Sequence, residues 1–228
     1  MIKTVLLDLD DTIFDFKECE RQALAKALAG FFLAFSPNDL SEYSQINDRM
    51  WKMLERGEIT REELKTKRFE VFLSRYSSPP DAMSFAARYM QELSQTSALI
   101  DGARSLLEHL SQTYDLYAVT NGYEFTQMGR MKSADILKYF KKVFISENIG
   151  VPKPKKEYFD RCVAEIPGFC IKNTVIIGDS PTSDIAGGKA YGLFTIRFNP
   201  HGDPNPPTAI PDREVRSLGE LAELLASL

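Results

Sequence analysis

The sequence predicts an α/β fold: a doubly wound parallel sheet interrupted after its first strand by an inserted all-helical subdomain. Three observations carry this. An aliphatic run at Val5-Leu6-Leu7 stops abruptly at Asp8, Asp10 and Asp11, as a parallel strand buried on both faces does at its tip. Residues 17–98 then show helical periodicity and no convincing strand. From Asp101-Gly102 onward, short aliphatic runs and amphipathic helices alternate regularly, the pattern of a parallel sheet covered on both faces.

Each element has its own signal. Leu24, Leu28, Phe31, Phe32 and Phe35 recur at helical spacing, predicting an amphipathic helix over residues 17–35. Helices over 39–56, 60–76 and 80–96 are punctuated by Ser36-Pro37-Asn38, Gly57 and Ser77-Ser78-Pro79-Pro80. A parallel crossover needs only a dozen or so residues, so this long helical stretch reads as an insert over the sheet's carboxyl edge, able to act as a lid. Then come helix 103–112, strand Leu116–Val119, helix 124–134, strand Val143–Ile145, helix 155–165, strand Thr174–Ile177, helix 183–191 and strand Phe194–Phe198. The Pro-rich segment 199–212 reads as an extended surface connection to a short strand at Glu214–Arg216 and a last helix from Leu218. The expected organisation is a core of residues 1–16 and 99–228 with a helical cap of residues 17–98.

Composition narrows the classes. A net charge of −4 and a pI near 5.4 argue against binding a nucleic acid polymer, which draws on an excess of Lys and Arg. No apolar run approaches the ~18 residues that a membrane span needs, and no basic-then-apolar leader precedes the first strand, so no membrane is expected and the cytoplasm is the expected location. Cys19, Cys162 and Cys170 lack any paired metal spacing and read as reduced packing residues. His109 and His201 are too isolated to complete a zinc site. A small-molecule partner is expected.

Four strand ends carry polar residues where ligands bind in open α/β sheets. Asp8 and Asp10, two apart at one tip, repel each other unless a cation or a shared proton lies between them. The second strand ends in Thr120-Asn121-Gly122, a hydroxyl and amides suited to an anion. Lys153 stands between Pro152 and Pro154, in a backbone stiff enough to aim it. Asp179 follows the aliphatic run Val175-Ile176-Ile177, and Asp184 falls near the next helix start, where helix capping is its ordinary role.

The ordered set Asp8-x-Asp10-x-Thr12, Thr120, Lys153 and Gly178-Asp179-(x4)-Asp184 resembles the four motifs of the haloacid dehalogenase superfamily, with a Rossmann-like core and a helical cap of the C1 type. The resemblance implies a magnesium-dependent phosphomonoester hydrolase. Asp8 would attack phosphorus and form an aspartyl-phosphate; Asp10 would act as acid and then base. Magnesium would be held by Asp8, Asp179, the main-chain carbonyl of Asp10, and Asp184 directly or through water. Thr120, Asn121 and Lys153 would hold the phosphoryl oxygens, and Thr12 would brace the loop. Asp11 receives no role. Asp10 speaks against carbon–halogen cleavage, since a halide leaving group needs no acid.

Within the cap, Ile46-Asn47-(x3)-Trp51, Gly57-Glu58-Ile59-Thr60 and Arg68-Phe69, together with Ser146-Glu147-Asn148-Ile149-Gly150, resemble the bacterial pyrimidine nucleoside 5′-monophosphatase branch. That implies a nucleotide or similar small phosphorylated metabolite; Trp51, Phe69 and Phe72 are candidates to stack on a base and Arg68 to meet its polar edge, with the cap's own core the alternative place for at least two of the three aromatics. The other readings of the same motifs are a sugar phosphatase or phosphomutase and, in a different class, a non-catalytic protein that senses phosphate through magnesium.

Overall fold

The structure, a computed structural model, describes residues 1–228. Strand β1 is Thr4–Leu7, and helices α1 (Phe16–Gly30), α2 (Pro37–Glu55), α3 (Arg61–Leu73) and α4 (Ala82–Ser94) follow it without an intervening strand. Next come α5 (Ala103–Leu110), β2 (Asp115–Thr120), α6 (Glu124–Ser133), β3 (Lys142–Ile145) and the short α7 (Ser146–Ile149). The chain ends with α8 (Lys156–Ala164), β4 (Thr174–Gly178), α9 (Ala186–Tyr191), β5 (Phe194–Phe198), β6 (Arg213–Val215) and α10 (Leu218–Ser227).

All six strands are parallel, in the order β3-β2-β1-β4-β5-β6. The chain builds outward from β1 in one direction through β2 and β3, and in the other through β4, β5 and β6. The crevice beyond the carboxyl ends at such a switch point is where open α/β sheets bind ligands. Leu7 aligns with Ala118 of β2 and Ile177 of β4, so the next residue, Asp8, emerges level with the tips of both neighbours. Every residue of β1 is buried, which explains its unbroken aliphatic sequence. One part of the core beneath the sheet is a cluster of Leu6, Val119, Phe144, Tyr158, Phe159 and Ile176.

The chain divides into two compact units: residues 1–15, 98–124 and 134–228, and residues 16–97 with 125–133. Most of α6 therefore groups with the helical unit. Gly129 shows why: a Cβ there would lie 2.6 Å from the carbonyl oxygen of Ser94 at the end of α4, so the two helices meet at a contact only glycine permits.

The helical unit has an aromatic core, with Tyr43 stacked on Phe69 at 5.3 Å and Tyr89 tilted against Phe69 at 5.1 Å. Helices α2 and α3 begin with capping boxes, Ser36 with Asp39 and Thr60 with Glu63, and Asp81 caps α4. Helix α1 stops at Gly30, short of the expected residue 35. Phe31 turns in against Phe85 at 5.4 Å, and Phe32 takes a left-handed conformation with its side chain fully exposed. Cys170 is exposed, which corrects its reading as a packing residue, whereas Cys19 and Cys162 are buried. His109 and His201 are exposed, and no helix is long and apolar enough to cross a membrane.

Candidate active site

The segment after β1 is a tight, internally bonded turn. The Asp8 amide donates to the carbonyl of Ile177 at 2.9 Å, and the carbonyl of Leu9 accepts from the amides of both Ile13 and Phe14, at 2.9 and 2.8 Å. Asp11 sits at φ 54°, in the left-handed region that aspartate tolerates better than most side chains. Its amide closes the turn onto the Phe14 carbonyl at 2.9 Å. Asp11, left without a role by the sequence, thus has a conformational one. Thr12 is completely buried and its hydroxyl has no protein hydrogen-bond partner, so any bracing it gives comes from packing.

Lys153 is the hub. Its ammonium donates to Asp184 Oδ1 at 2.6 Å, to Asp8 Oδ1 at 2.7 Å and to the carbonyl of Val119 at 2.8 Å, and the side chain is almost wholly buried. Three acceptors use all three of its donors. The backbone of Lys153 is fixed from β2: its amide donates to Asn121 Oδ1 at 2.9 Å, and Asn121 Nδ2 donates to its carbonyl at 3.0 Å. The side chain of Asn121 is committed to this clamp, which leaves its main chain as the part that can face a phosphate. Thr120 is buried, and its hydroxyl accepts the amide of Gly122 at 3.1 Å.

On β4, Gly178 makes room for Asp184. A Cβ at Gly178 would lie 2.7 Å from the Cβ of Asp184 and would overlap its carboxylate. Asp184 also accepts the Ser180 amide at 3.2 Å and is fully buried, which is not the setting of an ordinary helix cap.

Carboxylate oxygens of Asp8, Asp179 and Asp184 lie within 4.8 Å of one another. Burial is the main cause that raises the pKa of Asp8 to about 8, with Asp184 and Asp10 adding to it against the pull of Lys153. Asp179 is also pushed well up, by burial first and then by Asp8, Asp184 and Asp11. Burial opposes the charge on Lys153, yet Asp184 and Asp8 outweigh it and hold the ammonium above its ordinary range. One lysine therefore leaves the three carboxylates undercompensated. An all-oxygen, carboxylate-rich set with excess negative charge is the donor chemistry that magnesium takes, so the residues fit that ion.

In the helical unit the expected substrate residues part company. Phe69 has no exposed surface and belongs to the aromatic core, which corrects the expectation that it stacks on a base. Arg68 is buried too, donating to Asn47 Oδ1 at 2.8 Å and lying over the rings of Phe69 and Tyr89 at 4.8 and 5.6 Å. Asn47 in turn donates to Glu20 at 3.0 Å. Trp51 is only half-buried.

The class follows from where the charge sits: this is an α/β protein whose sheet, at its switch point, holds three carboxylates around a buried lysine. The profile of haloacid dehalogenase-like hydrolases matches residues 5–198, and the chain belongs to that family. It is 37% identical over 224 residues to the pyrimidine 5′-nucleotidase PynA of Streptococcus pneumoniae, covering 98% of this chain and 94% of that one. It is 29% identical over 221 residues to the pyrimidine 5′-nucleotidase YjjG of Escherichia coli, covering 97% and 96%. The crystal structure of the HAD-hydrolase YfnB of Bacillus subtilis bound to magnesium superposes with a TM-score of 0.93 at 39% identity, covering 98% of each chain.

Proposed function

We propose that the protein is a magnesium-dependent phosphomonoester hydrolase acting on nucleoside 5′-monophosphates or similar small phosphorylated metabolites. One observation carries the chemistry: Asp8 stands at the tip of a central strand, bonded to Lys153 at 2.7 Å and grouped with Asp179 and Asp184. The nucleotide preference rests on likeness to PynA and YjjG.

In this reading an Asp8 oxygen attacks phosphorus in line, and the bond from phosphorus to the substrate alkoxide breaks as Asp10 gives that oxygen a proton. Asp10 then takes a proton from the water that attacks the aspartyl-phosphate, releasing inorganic phosphate and restoring the Asp8 carboxylate. Asp10 is close enough that its charge raises the pKa of Asp8. Thr120 and the main chain at Asn121 hold the non-transferred oxygens, while Lys153, whose three donors go to Asp8, Asp184 and the Val119 carbonyl, keeps Asp8 aimed and reaches a phosphoryl oxygen only by giving up one of those bonds. Asp8, Asp179 and Asp184, with the Asp10 carbonyl by family resemblance, would hold magnesium, which would supply counter-charge to the phosphoryl group.

The test is phosphate release from a panel of nucleoside monophosphates and sugar phosphates, with and without magnesium. Turnover that needs magnesium, is lost in Asp8→Asn and favours pyrimidine monophosphates is the expected result. Full turnover by Asp8→Asn removes the mechanism, and a preference for sugar phosphates removes the nucleotide assignment alone.

A further inference from the structure

Strand β5 carries one charged residue in an otherwise uncharged run, Phe194-Thr195-Ile196-Arg197-Phe198. Arg197 is only 5% exposed and pairs with Gly178, the residue before Asp179. Burying a guanidinium is costly unless its donors are met, and here Nε and Nη1 are met in a directed way. Nε donates to the main-chain carbonyl of Asp179 at 3.1 Å, while Nη1 donates to the carbonyl of Asp203 and to Asn205 Oδ1, both at 2.9 Å. The nearest carboxylate, Glu214 on β6, lies 4.0 Å away, so the guanidinium is held mainly by neutral oxygens.

The loop after β5 folds onto the same group. Asn199 Nδ2 donates to the Asp203 carbonyl at 2.9 Å, the Asp203 amide returns a bond to Asn199 Oδ1 at 3.0 Å, and Asn205 Nδ2 donates to Glu214 at 2.7 Å. A planar fork thus spans two segments: the acidic tip of β4 on one side and the closed loop 199–205 on the other. Lysine has no such fork.

We propose that Arg197 is a positioning residue for the cation site: through its bond to the Asp179 carbonyl it fixes the peptide from which the Asp179 carboxylate projects, and it ties that peptide to the loop 199–205. This rests on reading the Asp8, Asp179 and Asp184 cluster as a magnesium site. Groups that orient metal ligands typically change affinity by about 10–100-fold when removed.

The experiment is calorimetric titration of magnesium chloride into the full chain, paired with the magnesium-induced rise in unfolding temperature, so that neither readout depends on turnover. Four variants are compared with wild type: Arg197→Met, Arg197→Lys, Asn205→Ala and, as a purely structural control, Leu107→Ala in α5. Arg197→Met is expected to weaken magnesium by about tenfold or more, with Arg197→Lys recovering part of the loss. Asn205→Ala is expected to weaken it less. Leu107→Ala should lower the unfolding temperature and leave magnesium affinity unchanged. If Arg197→Met does not fold, Arg197→Lys and Asn205→Ala carry the decision. Wild-type affinity in the folded Arg197 variants overturns the proposal, as does a loss in Leu107→Ala matching theirs. No magnesium uptake by wild type would instead overturn the reading of the cluster itself, and the proposal with it.

Discussion

Asn121 and Lys153 hold each other by two opposed hydrogen bonds, one from the Asn121 amide to the Lys153 carbonyl at 3.0 Å and one from the Lys153 amide to Asn121 Oδ1 at 2.9 Å. A side chain at the end of β2 thereby sets the backbone of a residue 32 positions later. Each such bond is worth ~0.5–1.5 kcal/mol net. Asn121→Ala is expected to lower stability in urea by about 1–3 kcal/mol. Small misplacement of reacting groups is costly, so kcat/KM should fall by about 10–100-fold. An Asn121→Ala enzyme with wild-type kcat/KM contradicts the clamp.

Lys153 is the only cation bonded to Asp8 and Asp184. Lys153→Met leaves both carboxylates buried without it, a change that typically costs ~3–5 kcal/mol. Urea unfolding at pH 7 should show that loss, and phosphatase activity should vanish. Added magnesium is expected to return part of the stability, because the ion supplies the missing counter-charge.

Gly178 yields its Cβ space to the Asp184 carboxylate. Gly178→Ala is expected to push Asp184 aside, destabilise the fold by about 1–3 kcal/mol as overpacking does, and weaken magnesium binding measured by calorimetry. Unchanged magnesium affinity in a folded Gly178→Ala protein would show that Asp184 takes no part in holding the ion.

Glu20 supplies a pH prediction inside the helical unit. Its carboxylate accepts from Ser44 and Asn47, and burial above all, with a contribution from Asp48, raises its pKa to about 7 from an ordinary 4.5. Because the folded value lies above the unfolded one, the folded state binds the extra proton between those two values. Its contribution therefore falls as pH rises through the window from 4.5 to about 7. Glu20→Gln should be relatively more stable at pH 8 than at pH 5, by on the order of a few kcal/mol. Thermal unfolding across that range reads the difference, and parallel wild-type and variant profiles would refute it.

Much of the site was legible in the sequence because a buried parallel strand advertises both its course and its end. Asp8, Thr120 and Asp179 each follow or close an aliphatic run, and register alone brings β1, β2 and β4 level. What was hidden depends on atoms far apart in the chain. The Asn121 clamp is such a case, as is the need for glycine opposite Asp184. Phe69 was legible as a core residue: with Leu64, Phe72 and Leu73 it forms the buried stripe of α3, and spacing favours core over the ligand contact that the resemblance implied. Arg197 did carry a signal, a lone charge within a strand, that points to a partner needing it. The early end of α1 was not foreseeable from apolar periodicity, which continues through Phe35 although the helix does not.

The placement of β1 has a consequence for how the molecule opens. Hydrogen-bonded on both flanks and buried along its whole length, it has no free edge, whereas β6 is a short strand at the sheet's margin. Amide protons of residues 5–7 should exchange with deuterium only when the whole core comes apart, while those of β6 escape through local fraying. The residue proposed to form a covalent bond with phosphorus thus rides on the segment that is last to let go.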